Sequence, residues 1–205
     1  MKVLERAAGH ATGAYHVDAV EVRSRAVYTN NIPCGAMRGF GVNQINFAVE
    51  SCVDELCEMG GFDRWQIRYD NALTPGGMTS TGQVLQSGIG IRKTLEAVKD
   101  VFQQSRHAGI ACGIKNTGIG NGVPDTGKVK IVIESPERIL IHQGWTEMGQ
   151  GVYTMAVQFF CEVTGLSPEI VEVRVDTAEE SESGMTTASR GTSIIGHRKL
   201  CIILT

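Results

Sequence analysis

The 205-residue chain lacks the cysteine and histidine spacings from which proteins build most metal sites. Its six cysteines include no CxxC pair, and its five histidines include no HxxxH pair. Iron–sulfur clusters and structural zinc sites need closely spaced cysteine or histidine ligands. We therefore expect that no metal ion is held by protein side chains here. Most of the cysteines lie within apolar patterns, which indicates reduced core thiols in a cytoplasmic chain.

Four further absences narrow the range of possible functions. The formal net charge is −3 and the basic residues are scattered, which argues against a nucleic-acid partner. No apolar run approaches the roughly 20 residues that a membrane span requires. The polar start, with Lys2, Glu5 and Arg6, differs from a signal peptide. Because there is no strand–GxGxxG–helix unit, a dehydrogenase with its own nucleotide site is the weakest hypothesis.

A glycine-rich stretch at residues 118–122 superficially resembles a phosphate-binding loop. It leads into Val123, Pro124 and then a strand, whereas a nucleotide fingerprint leads into a helix, and the P-loop lysine is missing. We therefore expect this loop to approach a ligand or another segment of the chain.

Apolar periodicity divides the chain into helices and strands. Helical spacing predicts helices over 43–59, from a cap at Asp63 to Asn71, over 91–104 and over 152–164. Alternation and β-branching predict a strand pair over 17–29 and strands over 109–115, 127–134, 138–144 and 171–176, with a hairpin turn at 135–137. The fold class is therefore α+β, with mixed sheets and packed helices. We place a domain boundary near residue 108, which gives domains 1–108 and 109–205.

The most informative segment is the turn at residues 146–151, Thr-Glu-Met-Gly-Gln-Gly, between an apolar strand and a helix. Its two glycines let the backbone pass close to a ligand, and the start of the helix favours an anion. Glu147 could serve as a general base, but its position before a helix favours capping or structural pairing. Gln150 offers both a donor and an acceptor.

A second glycine-rich turn, residues 35–41, opens another helix. Arg38 in this turn is either an ordinary surface arginine or a group that holds a carbonyl or phosphate. Phe40 lies between two glycines and either fills the core or stacks on a planar ligand. The hydroxyl-rich segment 186–192 is either a plain loop or a further turn that lines the same anion site.

Three segments in this order resemble the molybdenum-binding subunit of the xanthine dehydrogenase / aldehyde oxidase family of molybdenum hydroxylases. They are Gly35-Ala36-Met37-Arg38-Gly39-Phe40-Gly41-Val42-Asn43-Gln44, then Thr146-Glu147-Met148-Gly149-Gln150-Gly151-Val152-Tyr153-Thr154, then Thr186-Thr187-Ala188-Ser189. Each segment is moderately specific, and the ordered set is strongly specific. The stretches 118–127 and 186–192 look most like the branch of selenium-dependent xanthine dehydrogenases.

The resemblance implies roles for residues at matching positions. Arg6 resembles the arginine that favours negative charge on the purine carbonyl, and Phe40 resembles the aromatic residue that stacks on the heterocycle. The turns that contact the molybdenum centre and hold the pyranopterin would comprise Arg38, Gly39, Met148, Gly149, Gln150, Gly151, Ala188 and Ser189. The metal would be held by the dithiolene of molybdopterin, with no protein ligands.

The implied activity is hydroxylation of purines or related N-heterocycles by metal-bound hydroxide. Two segments of the family have no counterpart in this chain: the glycine-rich segment that precedes Arg6, and the downstream segment that supplies the catalytic glutamate. The tail leaves the family pattern after Gly196. A truncated or frame-shifted reading frame would explain this. Asn121 and Gly122 stand where vertebrate-type enzymes carry Phe-Thr, which puts purine specificity in doubt.

We therefore expect an internal fragment of the enzyme that is inactive in isolation. Its implied partners are a small heterocyclic substrate and other domains or subunits that carry the iron–sulfur clusters, the flavin and the rest of the molybdenum site. The alternatives are a non-catalytic pterin-binding subunit, one half of a split enzyme that needs a partner chain, and a decayed fragment.

Overall fold

The computed structural model describes residues 2–33, 35–120, 123–175 and 183–196. The chain divides into two compact units, Met1–Lys115 and Asn116–Thr205. The boundary expected near residue 108 lies inside the first of them. Among the described residues, no helix is both long enough and apolar enough to cross a membrane.

The first unit is built from four helices in its described part. They are α1 (Lys2–Ala8), α2 (Val42–Gly60), α3 (Arg64–Asn71) and α4 (Ile91–Gln104). The Asp63 carboxylate caps α3 by accepting a hydrogen bond from the Gln66 N–H, as the sequence predicts. Trp65 of α3 and Leu95 of α4 are buried in the core, and the Trp65 Nε1 donates to the Leu95 carbonyl at 2.8 Å.

The second unit has a sheet with helices packed against it. Its described elements are β1 (Val129–Ser135), β2 (Arg138–Gln143), α5 (Val152–Thr164), a 3-10 turn (Pro168–Ile170), β3 (Val171–Arg174) and α6 (Gly191–Ile195). The sheet order is β1-β2-β3, with β1 antiparallel and β3 parallel to β2. Ser135 pairs with Arg138, so the predicted hairpin turn is confirmed. The core is formed by Trp145, Val152, Ala156 and Ile195.

The α+β class with a mixed sheet is confirmed, but two strand predictions are wrong. Residues 17–29 form no strand and are exposed, and residues 109–115 are irregular. A strand exists only where a neighbour completes its hydrogen bonds, and among the described residues neither segment has such a neighbour. Helices α1 and α6 were not predicted, because both are too short to show a helical period.

Candidate functional site

The turn that precedes α2 holds Phe40 in a strained conformation. Phe40 has a φ of 25°, between Gly39 at 91° and Gly41 at 117°. A side chain at Gly41 would collide with the Val3 carbonyl oxygen, so only glycine lets this turn lie against α1. Strained residues of this kind are concentrated at functional sites. The strain therefore marks Phe40 as a candidate binding residue.

The close approach of the turn to α1 brings Arg6 to Phe40. The Arg6 guanidinium carbon lies 5.5 Å from the centroid of the Phe40 ring. Both side chains are half-buried. The structure thus places together the two residues that the sequence predicts to contact a substrate.

A second cation, Lys115, lies beside the same ring. Its Nζ is 5.9 Å from the Phe40 centroid. Burial and the neighbouring charge of Arg6 lower the pKa of the Lys115 ammonium. No pattern in the sequence indicates this lysine, because its position at Phe40 depends on how the chain folds back after α4.

His10 supports Arg6 from the end of α1. Its Nδ1 donates a hydrogen bond to the Arg6 carbonyl at 2.8 Å. Burial lowers the pKa of His10, the hydrogen bond to Arg6 raises it, and the charges of Lys115 and Arg6 lower it further. The net direction is downward from 6.5, so His10 is neutral near pH 7.

Arg38 lies one turn before α2 with an exposed side chain. Its carbonyl accepts a hydrogen bond from the Asn43 Nδ2 at 2.8 Å. A side chain at Gly39 would collide with the Asn43 amide. The backbone of Arg38 and Gly39 is therefore fixed by Asn43.

In the second unit, the 146–151 turn is closed by its own carboxylate. Glu147 Oε1 accepts from the N–H groups of Gly149 at 2.8 Å and Gly151 at 3.0 Å, and Oε2 accepts from Tyr153 at 3.4 Å. These donors, with Gly151 the strongest, lower the pKa of the Glu147 carboxyl group. These contacts are the structural pairing that the sequence favours for Glu147. An ionised carboxylate with three backbone donors is a poor proton acceptor.

Gln150 closes the same turn from the other side. Its Nε2 donates to the Thr146 carbonyl at 2.8 Å, and its Oε1 accepts from the Met148 N–H at 2.6 Å. The Met148 side chain is 67% exposed. Gly149 and Gly151 have φ values of 92° and 77° with no neighbour near a hypothetical Cβ, so conformation rather than space requires glycine there.

The hydroxyl-rich segment contacts this turn. The Thr146 N–H donates to the Thr186 Oγ1 at 2.8 Å. Ala188 and Ser189, which follow two and three residues later, both have left-handed backbones, with φ values of 58° and 54°. The Ala188 carbonyl accepts from the Gly118 N–H at 3.0 Å. The glycine-rich loop thus reaches another segment, as the sequence predicts; Asn121 and Gly122 lie outside the described residues.

Arg190 holds this segment in place, and the sequence did not identify it. Its side chain is 3% exposed, and its guanidinium lies 4.8 Å from the Trp145 ring centroid. It donates to Asp125 Oδ1 at 2.9 Å and to the Ser183 and Met185 carbonyls at 3.1 Å and 2.7 Å. The backbone N–H of Ile119 and the Arg190 side chain lower the pKa of Asp125. A buried arginine with this many acceptors fixes the neighbouring turn rigidly.

The donors in the second unit suit a cofactor rich in anionic and carbonyl oxygens. Within the described part of the chain, no acceptor contacts the successive N–H groups of Ala188 and Ser189. Consecutive backbone N–H groups of this kind form concave anion sites. The residues present therefore fit a phosphate-bearing or pterin-type group.

Comparisons with known proteins cover nearly the whole chain. Residues 1–72 match a family profile described as molybdopterin cofactor-binding domain, and residues 85–197 match a second profile with the same description. A probable xanthine dehydrogenase subunit of Bacillus subtilis is 31% identical over 206 residues, which is 95% of this chain and 28% of the relative. The nicotinate dehydrogenase large molybdopterin subunit of Eubacterium barkeri is 41% identical over 98 residues, which is 48% of this chain and 23% of that relative.

A solved structure agrees with these relatives. The aldehyde oxidoreductase of Desulfovibrio gigas is similar with a TM-score of 0.77 and 25% identity, over 95% of this chain and 23% of that one. The chain thus spans about a quarter of the length of the proteins it matches. It belongs to the molybdopterin cofactor-binding domains of the xanthine dehydrogenase and aldehyde oxidoreductase family of molybdenum hydroxylases, and its cofactor is molybdopterin.

Proposed function

We propose that the chain forms part of the molybdenum-binding subunit of a xanthine dehydrogenase-like oxidoreductase, which hydroxylates a purine or a related N-heterocycle. The observation that carries this proposal is the contact between Arg6 and Phe40 at a strained, glycine-flanked turn. An aromatic ring beside a cation suits a planar heterocycle on which negative charge develops during reaction.

Each residue of the first unit has a distinct role in this proposal. Phe40 orients the heterocycle by ring contact, and Arg6 stabilises negative charge on a ring substituent such as a carbonyl oxygen. His10 positions Arg6 through the hydrogen bond to its carbonyl. When bound, the molybdenum cofactor supplies the oxygen atom and accepts an electron pair.

Each unit carries proposed cofactor contacts of its own. In the second unit, the N–H groups of Ala188 and Ser189 would donate to the cofactor, next to the turn that carries Met148, Gly149, Gln150 and Gly151. In the first unit, the turn at Arg38 and Gly39 would contact it. The hydrogen bond from Thr146 to Thr186 supports a joint role for the two turns of the second unit.

The proposal includes partners that complete the enzyme. Several large apolar side chains are exposed, for example Val27 at 76%, Ile32 at 90% and Phe47 at 78%. Exposed apolar surface of this kind marks contact sites. Further segments or subunits would cover this apolar surface, and they would carry the iron–sulfur clusters and the flavin. We propose that the complete enzyme is cytoplasmic. The same surface favours the alternative of a pterin-binding subunit or split-enzyme half that acts only with a partner chain.

The test is molybdenum and pterin analysis of the protein purified from its native host with whatever polypeptides co-purify. We expect near-stoichiometric molybdenum, xanthine-type hydroxylation by the complex, and none by the 205-residue chain alone. Arg6→Met should lower turnover of the complex without changing its molybdenum content. Molybdenum without hydroxylation would favour the non-catalytic subunit, and a complex free of molybdenum would refute the proposal. The selenium-dependent branch stays a prediction.

A further inference from the structure

Residues 109–114 have the properties of a strand but lack a neighbouring strand. Exposure alternates residue by residue along them, with Ile110 and Cys112 packed against the Trp65 core and Ala111 exposed. The backbone runs from residue 108 to residue 115 without a helix, turn or bend. Within the described part of the chain, no backbone N–H or carbonyl of residues 109–114 is paired with another backbone group. Such a row of unpaired backbone groups is a template for another strand.

A groove lies against this segment. It has a volume of about 300 Å³, and its lining includes residues 110–112 together with Phe47 and Asp54 of α2. The Phe47 side chain is 78% exposed, so the groove presents an uncovered apolar wall. Asn46 lines the groove as well, and its buried Oδ1 has no hydrogen-bond partner among the described residues. The groove therefore offers an apolar contact and a hydrogen-bond acceptor to a strand that docks beside residues 109–114.

The helix on the other side of the groove is acidic. Helix α2 contains no basic residue and four acidic ones, Glu50, Asp54, Glu55 and Glu58. Arg64 and Arg68 of α3 pair with three of these carboxylates, and Glu55 has no ion-pair partner in the part of the chain that the structure describes. A docked strand with positive side chains would therefore be attracted to α2.

The first unit carries a second unpaired segment, residues 20–28, which we call the arm. It too runs without a helix, turn or bend, and all its residues are exposed. None of its backbone groups is hydrogen-bonded to another backbone group of the described chain. In an extended strand, the side chains of Val20, Val22 and Tyr28 share one face, and those of Arg23 and Arg25 share the other. The arm therefore has an apolar face that suits the groove and positive charge that suits α2.

We propose that residues 109–114 bind the arm of a second copy of the chain as an added β-strand. Both partners in this contact are unpaired segments of the same unit, and they do not pair with each other in a single copy. In a symmetric dimer each copy gives its arm and receives that of its partner, so two identical contacts form. Backbone hydrogen bonds supply binding, and the apolar face of the arm covers Phe47. No cofactor or substrate takes part.

Sedimentation of the full 205-residue chain from about 1 μM to about 300 μM measures this association. We expect a monomer–dimer equilibrium, with hydrogen exchange at residues 109–114 slowing as the dimer forms. Phe47→Asp should raise the dimer Kd at least about tenfold, because it places a charge in the groove. Val101→Asp is the matched control. Val101 is 71% exposed on α4 and does not line the groove, so its replacement should leave the Kd unchanged.

Neighbouring prolines test whether the arm docks as a strand. The N–H groups of Ser24 and Arg25 point to opposite edges of an extended arm, and only one edge faces residues 109–114. Ser24→Pro and Arg25→Pro are each compared with alanine at the same position, which isolates the loss of the N–H group. One proline should raise the dimer Kd at least about tenfold over its alanine control, and the other should change it less than about twofold.

A mixture tests the reciprocal contact. The disruptive proline variant keeps its groove, and Phe47→Asp keeps its arm, so the two together should form a heterodimer through one intact contact. Four results would overturn the inference: a chain that stays monomeric over this range, equal effects of the two prolines, a Val101→Asp variant as disruptive as Phe47→Asp, or a mixture that associates no better than its components.

Discussion

Replacement of Arg68 by methionine should destabilise the first unit strongly, because Arg68 is the centre of a buried ionic network. Its side chain is fully buried. The Nε donates to Glu50 Oε2 at 2.8 Å, and an Nη donates to Asp54 Oδ1 at 2.8 Å. The Tyr15 hydroxyl donates to the other Glu50 oxygen at 2.5 Å. Arg68→Met would leave Glu50, which is 8% exposed, without its counter-ion.

The expected loss follows from these contacts. Removal of one partner of a buried ion pair costs about 3–5 kcal/mol. The lower end applies here, because Asp54 is 43% exposed and solvent screens its share of the interaction. Burial alone lowers the pKa of Arg68, but its hydrogen bonds to Glu50 and Asp54 outweigh burial and raise it. A loss of about 3 kcal/mol lowers the ratio of folded to unfolded chains by about 150-fold.

The assay is urea unfolding followed by circular dichroism, with hydrogen exchange of residues 42–71 to localise the effect to α2 and α3. Arg23→Met is the matched control. Its side chain is 77% exposed, so its replacement should change stability by less than about 0.5 kcal/mol. A triple variant, Tyr15→Phe with Glu50→Leu and Arg68→Met, removes both buried charges and the hydroxyl that donates to Glu50, while the partly exposed Asp54 keeps its pairing with Arg64. It should recover most of the loss.

Two results would refute this reasoning. The first is an Arg68→Met variant within about 1 kcal/mol of the parent, which would mean that solvent screens the network despite its burial. The second is a triple variant no more stable than Arg68→Met. That outcome would assign the loss to side-chain packing rather than to an unpaired buried carboxylate.

Single contacts support three more predictions. Gly41→Ala should cost about 2–5 kcal/mol in urea unfolding, because it combines a φ of 117° with a collision at α1; Gly61→Ala, with a φ of 67° and open space, should cost only about 1–2 kcal/mol. Arg190→Met should cost about 1–3 kcal/mol, because it leaves the Ser183 and Met185 carbonyls without this donor, and it should speed hydrogen exchange at residues 185–189; unchanged exchange would contradict its positioning role. The lowered pKa of Glu147 contributes stability above the unfolded pKa of about 4.3 and loses it as pH falls through the folded value. Glu147→Gln should therefore reduce the difference in urea midpoint between about pH 7 and pH 3, and an unchanged difference would contradict this assignment.

The sequence correctly predicted the structural elements that depend only on neighbouring residues. The period of α2 and α5, the Asp63 cap and the hairpin turn depend on neighbouring residues, and all are confirmed. Burial on α2 does not follow the apolar periodicity that predicts the helix. Leu56 is 55% exposed, whereas Glu50 is buried. Glu50 is buried because Arg68 and Tyr15 neutralise and hydrogen-bond it, and no periodicity reveals a pairing between separate elements.

In the candidate site, too, the sequence predicts the locally determined features and misses those that depend on the fold. Glycine spacing identified the two turns, because left-handed backbone is a local requirement. The residues that hold or complement those turns, Lys115 and Arg190, come from elsewhere in the chain, and only the fold reveals them. The strand over 17–29 was wrongly predicted for a related reason. Alternation of apolar residues indicates a potential strand, but it does not supply the neighbouring strand that must complete its hydrogen bonds.

The two turns reach their geometry by opposite means, and this bears on how each could respond to a ligand. The 146–151 turn is held by Glu147 and Gln150, side chains of its own. Rotation of those side chains would release the N–H groups of Gly149 and Gly151 without moving other elements. The Phe40 turn is held by contact of Gly41 with α1, the helix that carries Arg6. Because that contact is backbone against backbone, the Phe40 turn and the backbone that carries Arg6 can separate only if α1 moves. In the proposed function, the first unit would hold a rigid heterocycle in a fixed orientation, and the second would exchange an internal carboxylate for the anionic groups of a cofactor.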